Sequence, residues 1–213
     1  MPNLNSQFSI LNSILVAAGL WFFMFSPWTA GLTNFWLTMT ASALLLIFMA
    51  WRLGRDSQFS IFNFQFSIYQ LLLGLALAAA LWGVFWVGDK LSSLLFGFAR
   101  GQVDSIYDMK IGLQPWLIAL LLFLIIGPAE ELFWRGFIQH ELSLRWGENW
   151  GFVVTTAIYT LIHLWSFNFM LIMAALVCGI VWGGIYRLKP KWLPALVVSH
   201  AVWDACVFVV FPI

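Results

Sequence analysis

The chain has 213 residues, 62% of them hydrophobic and only 9% charged, with a mean hydropathy of +0.92. A soluble domain carries roughly 25% charged residues, so a water-soluble globular fold is excluded and a membrane protein is indicated. The net charge of +1 argues against nucleic acid as a partner.

In chain order, apolar segments predict helical spans at roughly 8–27, 31–51, 67–88, 115–140, 150–166, 168–187 and 192–212. The expected fold is an all-α polytopic membrane bundle of about seven (six to eight) transmembrane helices at about 20 apolar residues each. It forms one membrane domain over 1–213. The first apolar run lacks a basic leader and a small-residue cleavage site, which reads as a retained span. Pro27, Gly31, Pro128, Pro190 and Pro194 end or bend helices. Residues 91–99 are too short to span and read as an interfacial helix or re-entrant turn. Residues 100–114, with Arg100, Asp104, Asp108 and Lys110, read as a polar loop.

Arg52 and Arg55, then Arg145, then Arg187, Lys189 and Lys191 fall on one side if the spans alternate. That side is expected to be cytoplasmic, and the N-terminus with it. Lys90, Arg100 and Lys110 fall on the other side among three Asp. Ala175, Gly179 and Gly183 recur every four residues and predict close helix packing inside the bundle, with oligomeric state left open. The QFSI repeats at Gln7, Gln58 and Gln65 carry no functional pattern. Cys178 and Cys206 form no CxxC and read as small apolar residues.

Three apolar segments contain ionisable groups: Glu130, Glu131 and Arg135, then His163, then His200 and Asp204. A charge at such depth costs at least about 2.5–3.5 kcal/mol on insertion scales, so these residues are expected to line one cavity. At 1.5 Å per residue they reach depths of about 12–22 Å from the cytoplasmic helix ends. Glu131 and Arg135 lie four apart and suit a same-face ion pair. Glu130 is rotated about 100° from Glu131, which leaves it as the candidate general base. The competing reading of this trio alone is a structural charge cluster. Asp204, four residues after His200, suits orienting its ring. Tyr159, one turn before His163, suits orienting it or donating to an oxyanion. A lone intramembrane histidine is often only a helix–helix hydrogen bond. His140 reads as interfacial and non-catalytic.

Two mechanisms fit. In one, His163 and His200 with a carboxylate hold zinc, and Glu130 deprotonates the bound water. In the other, Glu130 activates water directly while His163 and the His200–Asp204 pair stabilise the oxyanion. Neither HExxH nor GxSxG is present.

The double glutamate with Arg135 and Gly136, the aromatic Tyr159 four before His163, and the His200–Asp204 pair resemble the CPBP family. These are the CAAX proteases and bacteriocin-processing enzymes, also called type II CAAX prenyl endopeptidases. The resemblance covers residues 115–210, whereas 1–110 hold variable N-terminal spans without a motif. The family commonly has Phe where Tyr159 stands, and often Asn where Asp204 stands. The resemblance implies an intramembrane endopeptidase with Glu130 as the water-activating base. It implies Glu131, His163, His200 and Asp204 as supporting site residues, with Arg135 orienting the double-glutamate segment. It also implies a metalloprotease label, a multi-pass place in the plasma membrane, and a peptide or prenylated protein substrate met within membrane lipid. The alternative is a non-catalytic scaffold or bacteriocin-immunity protein that retains the motifs. A proton-coupled transporter is disfavoured by the short chain and the absence of paired broken helices.

Overall fold

The computed structural model describes residues 4–54 and 67–213, with side chains from residue 9. Arg55, the QFSI copy at Gln58 and the first two residues of the copy at Gln65 lie outside the described residues, as does the side chain of Gln7.

The described residues form eight helices and no strand. They are α1 (Leu4–Phe25), α2 (Phe35–Leu53), α3 (Ile68–Leu95), α4 (Ala99–Asp108) and α5 (Pro115–Trp146). After them come α6 (Glu148–Leu161), α7 (Phe169–Leu188) and α8 (Pro190–Val210). Local chemistry sets the ends. Asn34 accepts from the backbone N–H groups of Trp36 and Leu37, Ser67 from Gln70, and Asn168 from Leu171. Gly147, at φ 85°, makes the left-handed corner between α5 and α6 that a side chain would strain. A 3₁₀ turn over Ile162–Ser166 continues α6.

Five helices are long and apolar enough to cross a membrane: α2, α3, α5, α7 and α8. The expected first span appears as the shorter apolar stretch Ser9–Phe25. The expected fifth span contains only 14 α-helical residues. That is about 21 Å, short of the ~30 Å hydrocarbon core, before the 3₁₀ turn extends it. Two local expectations are corrected. Residues 91–95 continue α3 without a break, so no separate interfacial segment starts there. The expected polar loop is helical to Asp108, as α4, with Arg100 Nη2 2.7 Å from Asp104 Oδ1 one turn on, and only residues 109–114 are non-helical. Arg100 also reaches the buried Asp89 of α3 at 3.3 Å, which ties α4 to the bundle. Gln102 does the same toward α7, accepting from Asn168 and Met170.

The centre of the bundle is α5 against α8. Half or more of their spanning windows is buried, 50% and 56%, against 17% for α3. Close approach is built from glycine. A Cβ on Gly127 would stand 2.8 Å from Ala201 Cα of α8, and one on Gly74 of α3 would stand 2.6 Å from Ala195 O. The stripe on α7 packs internally, with Gly179 against Thr156 and Tyr159, and Gly183 against Gln139 and Phe152.

Candidate active site

Pro128 in α5 has no N–H to give and its ring crowds the carbonyl four residues back. The helix answers with a π turn over Leu122–Ile126, closed by the Gly127 N–H bonding to Leu122 O five residues earlier. A second π segment, Leu132–Gln139, follows. Between them the α-helical Gly127–Glu131 holds both glutamates. Wide turns of this kind re-aim side chains and recur at functional sites.

Glu130 and Glu131 point to different neighbours. Glu131 is fully buried, and its Oε1 receives Arg135 Nη1 at 2.8 Å and His200 Nδ1 at 3.0 Å. Arg135 also donates to Cys178 O of α7 at 3.3 Å, and its guanidinium lies 4.9 Å from the Tyr159 ring centre and 5.6 Å from that of Trp182. Glu130 accepts from the Tyr159 hydroxyl at 3.2 Å through Oε2. Its Oε1 takes no hydrogen bond from any described residue, and Glu130 lies in the wall of a cavity of about 510 Å³.

His200 sits between two carboxylates. Its Nδ1 faces Glu131 and its Nε2 stands 3.4 Å from Asp204 Oδ2. Carboxylate oxygens on both edges are satisfied together when both ring nitrogens carry protons. Trp182 stacks on the ring at 4.0 Å and anchors itself through Ser199 Oγ at 3.1 Å. His163 is held differently. Its Nδ1 is 2.7 Å from the Tyr159 carbonyl oxygen, and its Nε2 receives the Trp21 indole N–H of α1 at 3.1 Å.

The structure thus brings Glu130, Tyr159, His163, His200 and Asp204 to one cavity and sets Glu131 and Arg135 behind it. Tyr159 does two jobs with two groups, its carbonyl orienting His163 and its hydroxyl reaching Glu130. His140 stands apart, with Nδ1 3.1 Å from the Tyr186 hydroxyl. The remaining wall is almost wholly apolar and includes Phe25, Trp36, Met39, Phe85, Phe169 and Met173. Asp89 is a further carboxylate in that wall, carried by Arg100 and Lys90.

The expected zinc ligands His163 and His200 do not fit a metal site as arranged. Both nitrogens of each ring already face protein partners. Among the described residues no group of three His, Cys, Asp or Glu side chains is arranged to hold a metal ion.

Trp21 and Trp182 complete the site without a signal in the sequence. Tryptophan occurs fourteen times here, so neither stands out. Residues 112–206 match the family model for type II CAAX prenyl endopeptidase Rce1-like proteins. No curated protein and no solved structure matches the chain. The match takes in Glu130, Glu131, Arg135, His163, His200 and Asp204, whereas Trp21 and Asp89 lie outside it.

Proposed function

Taking as premise that residues 112–206 belong to the Rce1-like type II CAAX prenyl endopeptidase family, we propose that the chain is an intramembrane endopeptidase in which Glu130 activates water. The observation that carries this is Glu130 itself. It is a buried carboxylate in the wall of the cavity, with one oxygen oriented by Tyr159 and the other without a partner among the described residues. A structural cluster would pair that carboxylate with a cation, and the nearby cation is spent on Glu131.

A water bound at Glu130 Oε1 gives its proton to the carboxylate and its oxygen attacks the scissile carbonyl carbon. The oxyanion meets the Tyr159 hydroxyl and the Nε2–H of His200, which line the same cavity and turn to it from Glu130 and Asp204 as the charge develops. Collapse then breaks the C–N bond, and Glu130 returns the proton to the leaving amine. Asp204 and Glu131 keep His200 protonated and oriented, and Arg135 balances Glu131. No step is routed through zinc, because a doubly protonated His200 has no lone pair to offer and both nitrogens of His163 have protein partners.

The apolar wall suits a substrate whose flanking part is apolar, either a prenylated peptide or a transmembrane segment. The membrane is read as the plasma membrane, with the N-terminus cytoplasmic on the basis of Arg52, Arg145, Arg187, Lys189 and Lys191.

The test compares protein termini in membranes of cells carrying the wild type or Glu130→Gln. Losing the general base should cost about 10²–10⁴ in cleavage rate while folding is kept. Termini unique to the wild type support the reading and give the cleavage site. Identical termini, with Glu130→Gln still rescuing a deletion phenotype, would leave the scaffold reading in its place.

A further inference from the structure

His163 has no free polar edge in this structure. The Tyr159 carbonyl, 2.7 Å from Nδ1, can only accept a hydrogen bond, so Nδ1 carries the ring proton. An indole N–H can only donate, so the Nε2 that meets Trp21 at 3.1 Å presents its lone pair. A proton on Nε2 would set two N–H groups against each other. The pair therefore specifies one state of the ring: neutral, with the proton on Nδ1.

The partner comes from a separate part of the chain. Trp21 is 1% exposed and His163 is 7% exposed, so water does not offer an easy substitute for either partner. The indole is wedged between Trp134, at 6.3 Å and 87°, and the His163 ring, at 5.9 Å and 75°. Phe25, one turn further along α1, adds a second ring contact to His163 at 5.8 Å. Apart from the short turn that follows it, α1 packs chiefly on α2 and on the 3₁₀ turn that carries His163. Among the described residues, its polar contact with the site is this one bond.

We infer that Trp21 is a positioning residue, which fixes His163 as the neutral Nδ1–H tautomer and fills its Nε2 lone pair. His163 then works as a hydrogen-bond acceptor that seats α1 against the site. It neither donates to an oxyanion nor ligates a metal through Nε2 while Trp21 is in place. The oxyanion falls to Tyr159 and His200, the assignment made above, and the inference about the consequence for catalysis rests on that reading. The tautomer itself does not. An N-terminal helix outside the family match thus supplies a part of the site that the matched segment lacks.

The test is ¹⁵N NMR of histidine-labelled protein in lipid nanodiscs, with His163 assigned by loss of its signals in His163→Gln. The wild type should show a protonated Nδ1 and a hydrogen-bonded, unprotonated Nε2, with scalar coupling from the Trp21 indole proton to Nε2. A wild-type ring protonated on Nε2 would overturn the inference without any variant having to fold. Trp21→Phe keeps an aromatic ring and removes the donor, so the Nε2 signal should move and the coupling should vanish. An unchanged Nε2 signal in folded Trp21→Phe would also overturn it. The two readings fail separately. Glu130→Gln tests the peptidase, and the nitrogen signals test Trp21 whether or not the protein cleaves anything.

Discussion

Replacing Arg135 with Met keeps most of the side chain's bulk and removes its charge, which isolates the electrostatic part of the site. In the folded protein Arg135 is 1% exposed and Glu131 is 0% exposed, with 2.8 Å between Nη1 and Oε1. Glu131 Oε2 already lacks a partner, so loss of the guanidinium leaves only His200 to compensate the carboxylate. Breaking one half of a buried ion pair costs about 3–5 kcal/mol. The contacts of the guanidinium with the Tyr159 and Trp182 rings add to that. At about 2–4 °C per kcal/mol for a chain of this size, the midpoint should fall by about 6–20 °C. The assay is reversible unfolding in mixed micelles, run as a double-mutant cycle with Glu131→Gln. The double variant no longer buries an unmatched charge, so it should lose less than the sum of the two single changes by at least about 1 kcal/mol. A single-variant loss below about 1 kcal/mol, or strict additivity, would refute the claim that Arg135 chiefly neutralises Glu131.

Tyr159→Phe removes a donor to Glu130 but keeps the carbonyl that holds His163. It should slow cleavage by about 10²–10³ with little change in melting, and equal losses in both would contradict the assignment. Gly127→Ala would press a Cβ to 2.8 Å from Ala201 Cα. It should destabilise by about 1–3 kcal/mol and depress activity through α8, whereas Gly83→Ala, with nothing within 4 Å, should be neutral or slightly stabilising. Tyr107 of α4 donates to Val207 O and accepts from Ile213 N, and burial raises its pKa above the ordinary tyrosine value. Its contribution is full below about pH 10, where the unfolded chain also keeps its phenol proton, and is lost as pH rises through the folded value. Unfolding followed across that alkaline range should steepen for the wild type and flatten for Tyr107→Phe, and parallel curves would dismiss the effect.

The residues that make up the site's charge were legible because ionisable groups in apolar helices have few reasons to be there. Glu130, Glu131, Arg135, His163, His200 and Asp204 stand out on insertion cost alone. Spacing also announced two pairs, since residues four apart on a helix share a face: Glu131 with Arg135, and His200 with Asp204. The α-helical character and the approximate spans follow from apolar run lengths. The amphipathic α4 was missed because its charges resemble a loop until Asp104 is seen to pair with Arg100 across one turn.

What lies across helices was beyond the sequence. Periodicity gives the face of a side chain on its own helix and says nothing of which neighbour that face meets. Glu131 bonding to His200, sixty-nine residues away, depends on α5 and α8 touching at Gly127 and Ala201. The π turns around Glu130 rotate it relative to an ideal helix, and only the packed backbone fixes by how much. The state of His163 was the least legible of all. Its sequence neighbours supply Tyr159, but the proton's position is settled by an indole 142 residues earlier in the chain, brought there by the docking of α1. The sequence determined which groups had to be sheltered from lipid. Tertiary packing decided which of them hold one another and which one, Glu130, is left with an oxygen facing the cavity.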